Sequence, residues 1–220
     1  MYLEIILIMI ITDFILDKGF NFKGNYYLIH SINNFIVVYY TFNDVFNCFT
    51  NFDNILINNY SNIPSITTYC LHIYHFIYYF KSLKFDDYLH HILMVGFCLP
   101  VGNYIQSGLL LNYSLFFLTG LPGGIDYILL FLNRNNLLID KYTEKTINSF
   151  LNLWIRMPGC ISHSTLTLIM YNKNKHLYSL DIKCLIIMVL LLVLWNGIYF
   201  MNQIIRNHEM ETLKRKNKNE

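Results

Sequence analysis

The sequence predicts an all-α membrane protein: a bundle of six core transmembrane helices with an N-terminal candidate anchor helix. Three observations predict it. Of 220 residues, 55% are hydrophobic and only 14% charged, against about 25% charged in a soluble domain. Charge is absent from long stretches at 26–43, 65–80, 88–125, 146–155, 157–172 and 184–205. Several of these approach or exceed the roughly 18–20 apolar residues that cross a hydrocarbon core. Tyr and Phe are abundant and gather near the ends of these runs, as interfacial belts require. A buried all-α soluble domain would instead carry polar faces at helical period, and those are missing. The mean hydropathy of +0.36 agrees.

The first segment, 2–16, is short and carries Asp13. It lacks a basic start and a small-residue cleavage site, so it reads as an anchor rather than a signal peptide. Core spans follow at 26–50, 65–81, 87–103, 107–132, 149–171 and 183–205. No span repeats another and no linker divides them. Residues 26–205 therefore form one domain, between an N-terminal segment, 1–25, and a basic tail, 206–220.

The connecting loops orient the bundle. Loop 17–25 holds Lys18 and Lys23, loop 51–64 holds no Lys or Arg, and the connection at 82–86 holds Lys84. The connection at 104–106 holds none, and loop 133–148 holds Arg134, Lys141 and Lys145. Loop 172–182, with Lys173 and Lys175, breaks the alternation, and the tail is rich in Lys and Arg. By the positive-inside rule the tail is cytosolic and loop 51–64 faces the lumen. The sequon Asn59-Tyr60-Ser61 in that loop is compatible with this side. Lys216 and Lys218 stand at the K-x-K-x-x spacing of a dilysine signal for the endoplasmic reticulum, which works only from a cytosolic tail.

Composition excludes several classes. The five cysteines, Cys48, Cys70, Cys98, Cys160 and Cys184, all fall in apolar runs and form no CxxC, so neither a disulfide framework nor a zinc knuckle is expected. The net charge is +2, and no basic face carries interleaved aromatics. Nucleic acid is not an expected partner.

Depth brings the titratable residues together. At about 1.5 Å per residue, His90 and His91 lie about one turn inside the cytosolic end. His72 and His75 lie about 9–14 Å from it, Asp126 about 9 Å and Arg156 about 10 Å. These six residues from four spans form one layer. Asp87 precedes His90 by three positions and His91 by four, and Asp86 precedes His90 by four. These offsets share a helix face, so a carboxylate can orient an imidazole and raise its basicity. Asp126 and Arg156, at similar depth, are expected to offset part of their insertion cost by pairing; such a pair can equally hold two helices together. GLPGG at 120–124 and MPG at 157–159 are expected to break or kink their helices beside Asp126 and Arg156. The layer then reads as the lining of a polar cavity: His72, His75, Asp86, Asp87 and Arg156 as cavity residues, His90 and His91 as the reactive pair, with no metal.

The segment YCLHIYHFIYYFKSLKFDDYLHHILMV, 69–95, resembles the centre of the TLC domain, shared by ceramide synthases, translocon-associated proteins and poorly characterised lipid-linked membrane proteins. NLWIRMPG, 152–159, is similar to that family's late helix with its Arg. The resemblance covers roughly residues 26 to 205 and implies a six-helix bundle around a cavity open to the cytosol and membrane. In the ceramide synthase branch it implies a catalytic His pair in N-acylation of a sphingoid base by acyl-CoA. Carried over, His90 and His91 form that pair, with Asp126 as candidate acidic partner by depth alone. The synthase pattern H-H-x-x-T has Met94 at its Thr position here, and the long acidic-aromatic stretch of synthases is missing. The nearer expectation is a protein that binds, senses or handles membrane lipid, with no cofactor. An acyltransferase using acyl-CoA as co-substrate is the alternative. A di-iron lipid hydroxylase would use His72, His75, His90 and His91, but no HxxHH box occurs and iron requires more ligands in one place. Oligomeric state is not legible.

Overall fold

The computed structural model describes residues 1–55, 59–83, 85–105 and 107–219. Seven helices and no strand occur among the described residues. They are α1 (Tyr2–Phe20), α2 (Asn25–Thr50), α3 (Ile63–Tyr79), α4 (85–104), α5 (Leu109–Arg134), α6 (141–174) and α7 (Leu180–Asn219). α1 stops where Asn21 adopts the left-handed conformation at φ 54° and its N–H returns to the Asp17 carbonyl, a common helix ending for Asn. α6 starts at Asp140, whose Oδ1 accepts the Thr143 N–H at 2.7 Å, satisfying an otherwise orphaned donor. Lys84, read from the sequence as a topogenic charge, and the side chain of Lys218 lie outside the described residues.

Three helices contain a π-helical stretch, and each stretch ends two residues before a proline. His91–Cys98 precedes Pro100 in α4, Phe116–Gly120 precedes Pro122 in α5, and Asn152–Arg156 precedes Pro158 in α6. Proline removes an N–H and crowds the carbonyl four residues back, and a π turn relieves that crowding without ending the helix. GLPGG and MPG therefore do not break their helices as expected; both continue through. The glycines of GLPGG serve close packing instead. A Cβ on Gly123 would stand 2.7 Å from Asn34 Nδ2, and one on Gly124 would press on Phe35 at 3.2 Å. Ser31 Oγ donates to the Gly124 carbonyl at 2.8 Å, and Thr119 Oγ1 to Asn34 Oδ1 at 2.9 Å. α2 and α5 are thereby held backbone to backbone.

The helices form a ring. α2 packs on α3 and α5, α5 on α6, α6 on α7, α7 on α4, and α4 on α3. α1 lies outside, against α2 and α3. The loops fall at two ends. At one end, Lys23 N–H donates to Asn135 Oδ1 at 2.8 Å and Asn135 Nδ2 to the Lys23 carbonyl at 3.0 Å. The far part of α7 reaches this same end, where Lys141 pairs with Glu211 at 3.2 Å and the Arg215 guanidinium sits over the Tyr142 ring at 4.4 Å. At the other end Lys173 pairs with Asp53. The loop that breaks the alternation of charge thus has one of its cations neutralised.

Residues 206–219, read from the sequence as a tail, continue α7 as regular helix. Glu, Met, Leu, Lys and Arg favour it and no Pro or Gly interrupts it, while contacts to α6 give it support.

α2 shows how the chain distributes polarity. Its buried residues include Asn25, His30, Ser31, Asn33, Asn34, Thr41 and Asp44. Its exposed residues include Ile32, Phe35, Ile36, Tyr39, Phe42, Phe46 and Phe49. The polar side faces in and the apolar side faces out. Two helices, Leu109–Arg134 and Leu180–Asn217, are long and apolar enough to cross a membrane, with mean hydropathies of 1.8 and 2.4 over an 18-residue stretch of each. The sequence counts six core spans. By length and composition α3 falls short at 17 residues.

Candidate functional site

The ring encloses a cavity of about 470 Å³. All eight residues selected by depth and helix offset line it: His72, His75, Asp86, Asp87, His90, His91, Asp126 and Arg156. Four helices bring further polar groups that sequence reasoning missed, namely His30 from α2, Tyr127 from α5, Lys145 and His163 from α6, and Asn196 from α7. His30 was within reach of the same arithmetic: it stands five residues inside the basic end of α2, in the same layer as His72 and His75.

Five imidazoles form one cluster. The His30 and His75 ring centroids are 4.9 Å apart, His72 and His91 5.1 Å, His75 and His91 5.5 Å, and His72 and His90 5.7 Å. Hydrogen bonds fix three of the tautomers. His30 Nδ1–H donates to the Tyr26 carbonyl at 2.7 Å, His72 to Thr68 at 2.8 Å and His91 to Asp87 at 2.5 Å. A carbonyl only accepts, so each of these Nδ1 atoms carries a proton and each Nε2 of the neutral ring offers a lone pair. His91 Nε2 and His75 Nδ1 are buried with no hydrogen-bond partner. His90 Nδ1 stands 3.5 Å from Asn196 Nδ2.

Two expected pairings are corrected. Asp86 does not orient a histidine: its Oδ1 accepts from the Tyr199 hydroxyl at 2.6 Å, across to α7. His91 is oriented by the backbone carbonyl of Asp87, because at helical spacing the carbonyl four residues back lies directly under the ring. Asp126 and Arg156 share the cavity but form no ion pair. Arg156 Nη1 donates to Asn152 Oδ1 at 2.9 Å, while Arg156 Nε and Asp126 Oδ1 are buried without partners. The π turn before Pro158 carries both Asn152 and Arg156, and it presents the guanidinium to a side chain of its own helix. Buried polar atoms in native proteins are normally satisfied; several residues lining this cavity, His75, His91, Asp126 and Arg156 among them, carry one that is not.

The cavity changes character along its length. From the basic end inward, α4 runs from His91 to Met94 and Cys98, and α5, followed backward, from Asp126 to Leu118 and Leu115. α7, followed backward, runs from Asn196 to Val193 and Val189. One end is titratable and the other apolar, as amphiphile sites are built. The titratable end holds three aspartates against Arg156 and Lys145, and Lys145 is engaged by Glu144 at 3.1 Å.

The five rings pack largely edge to face, His90 on His91 at 90° and His30 on His75 at 85°. Among the described residues no three His, Cys, Asp or Glu side chains are arranged to hold a metal ion. His91 has one ring nitrogen anchored and the other buried without a hydrogen-bond partner, leaving a lone pair of the kind a general base or acyl acceptor uses. Comparison with known proteins adds no relative: no family model matches the chain, and no curated protein or solved structure matches it.

Proposed function

We propose that this chain is a multi-pass membrane protein of TLC-like architecture that holds membrane lipid in a cytosol-facing cavity. In this reading α2 to α7 are six core spans and α1 an anchor beside them. The C-terminus lies in the cytosol, and the endoplasmic reticulum is the residence implied by Lys216 and Lys218. The observation that carries the reading is the inverted polarity of the ring. His30, Asn34 and Asp44 are buried while Phe35, Tyr39, Phe42 and Phe46 are exposed on the same helix, and the inward polar groups surround a cavity with one titratable and one apolar end. An acyl chain satisfies the apolar end and a lipid headgroup the titratable one.

The anchored tautomer of His91 favours a second reading, N-acyl transfer from acyl-CoA to a sphingoid base. Met94 at the expected Thr position weighs against it.

Photolabelling tests the first reading. The protein is reconstituted in nanodiscs with a fatty acid and a phospholipid bearing a photoactivatable group on the acyl chain. Labelling is expected at inward positions such as Met94, Cys98, Leu115 and Val193, and His91→Ala is expected to reduce it without lowering the melting temperature. Labelling confined to outward residues such as Phe35 and Phe42 would refute a lipid cavity. Incubation with labelled acyl-CoA and a sphingoid base distinguishes the second reading, which requires product from the wild type and none from His91→Ala.

A further inference from the structure

Deeper in the cavity, α6 carries one titratable side chain that the headgroup end does not use. His163 follows Arg156 by seven residues, two helical turns and about 10 Å further along the same face, and both line the cavity. It is 4% exposed, and its Nδ1 is buried without a hydrogen-bond partner. The other anchored histidines explain why this is unusual. His30, His72 and His91 each spend Nδ1–H on the carbonyl four residues back. For His163 that carbonyl belongs to Gly159, and the Ser162 hydroxyl donates to it instead at 3.0 Å. Ser162 is itself held by the Tyr113 hydroxyl at 2.6 Å, and the Tyr113 ring stacks on His163 at 6.4 Å. The remaining nitrogen, Nε2, lies 3.4 Å from Thr167 Oγ1. The imidazole is therefore fixed in position with Nδ1 unspent.

The surroundings define what would pair with it. Leu111, Leu115, Met170 and Val189 line this part of the cavity, so a charged group would be costly here. A plain hydrocarbon chain would leave Nδ1 unsatisfied, and a buried polar atom without a partner is costly. A hydroxyl is uncharged and both donates and accepts, so it matches either tautomer of His163. Thr68 Oγ1, on α3 one turn inward of His72, is a second buried cavity-lining atom without a partner.

The geometry points to His163 as a specificity contact for an acyl lipid that carries a hydroxyl at mid-chain, about two helical turns from its headgroup. This inference rests on the lipid reading above and names the class of chain that the same cavity prefers.

Competition against the photoactivatable fatty acid in nanodiscs tests it, with stearic acid and a mid-chain hydroxystearic acid as competitors. The wild type should be displaced by the hydroxylated acid at about three- to tenfold lower concentration, the range of one net hydrogen bond. His163→Leu should lose that preference while stearic acid still competes, and His163→Asn, which keeps a donor and an acceptor, should retain part of it. Melting temperatures confirm that each variant is folded. The Asn variant keeps the test available if the Leu variant is not. Equal displacement of the wild type by the two acids would overturn the inference and leave the lipid reading standing; it is the result expected if Nδ1 only binds water. A preference that survives His163→Leu would also overturn it. Absence of any inward photolabelling would overturn both.

Discussion

Asp13 is the charged residue that makes the first segment look marginal as a span, and the structure gives it a task whose magnitude can be worked out. Its side chain is 2% exposed. Oδ2 accepts from the Tyr74 hydroxyl at 2.8 Å and from the Tyr79 hydroxyl at 2.7 Å, both from α3, so the carboxylate clamps α1 to the ring. A hydrogen bond to a charged group contributes about 1.5–3 kcal/mol. Tyr79→Phe should therefore lower the melting temperature by about 3–12 °C in a domain of this size. Tyr74→Phe/Tyr79→Phe should cost more, because it strands a buried carboxylate. Adding Asp13→Leu to that pair should recover much of the loss by removing the stranded group. Cys70 reports on the clamp directly. It is fully buried under α1, with Sγ 3.5 Å from the Tyr2 carbonyl. In a variant with the other four cysteines changed to Ala, a thiol-reactive dye in detergent should reach Cys70 at lower temperature as the clamp weakens. A triple variant no more stable than the double variant would refute the reasoning, as would Cys70 labelling that ignores Tyr79→Phe.

Two further outcomes are expected in the loops and at the chain end. Protease treatment of sealed microsomes should remove a tag at the C-terminus and spare one inserted after Asn54; protection of the C-terminal tag would reverse the proposed orientation. At the start of α6, the Thr143 hydroxyl and N–H hold the Asp140 carboxyl below its usual range. A depressed carboxyl contributes stability that is present above about pH 4 and is lost as pH falls through the folded value. Hydrogen exchange in the first turn of α6, corrected for intrinsic rates, should accelerate between about pH 7 and pH 3 in the wild type. Asp140→Asn, which caps without titrating, should not show this; an identical acid response in that variant would sink the explanation.

The all-helical fold was legible because each charge-free run is longer than a strand, and helix positions shifted by only a few residues in most cases. The layer of titratable groups was legible too. Depth depends only on helix direction and rise, and loop charges supply the direction. Lateral geometry was not legible. Rise along a helix gives no azimuth between helices, so the meeting of Asp86 with Tyr199, 113 residues away, could not be read, nor could the separation of Asp126 from Arg156. His30 was missed for a different reason. It sits alone in a run rich in Asn and Tyr, with no neighbouring carboxylate to draw attention, although its depth matches the others. The tail was read for its charge alone; that it continues as helix follows from the same residues being good helix formers.

The three prolines carry the last step from sequence to cavity. Leu99-Pro100-Val101-Gly102, Leu121-Pro122-Gly123-Gly124 and Met157-Pro158-Gly159-Cys160 occur once each in α4, α5 and α6. Each lies just past a π-helical stretch. A π stretch holds an extra residue relative to an α-helix and so rotates everything after it by about 100°. The stretches hold His91 and Arg156 themselves, and α5 continues from its own stretch to Asp126. Proline also prevents the stretch from relaxing to regular α-helix, because its ring would again crowd the carbonyl four residues back. The glycines then let the neighbouring helix close in, as Gly123 does on Asn34. The same backbone chemistry is thus repeated in three consecutive helices of the ring, and two of the cavity's titratable side chains, His91 and Arg156, sit in the turns that it opens.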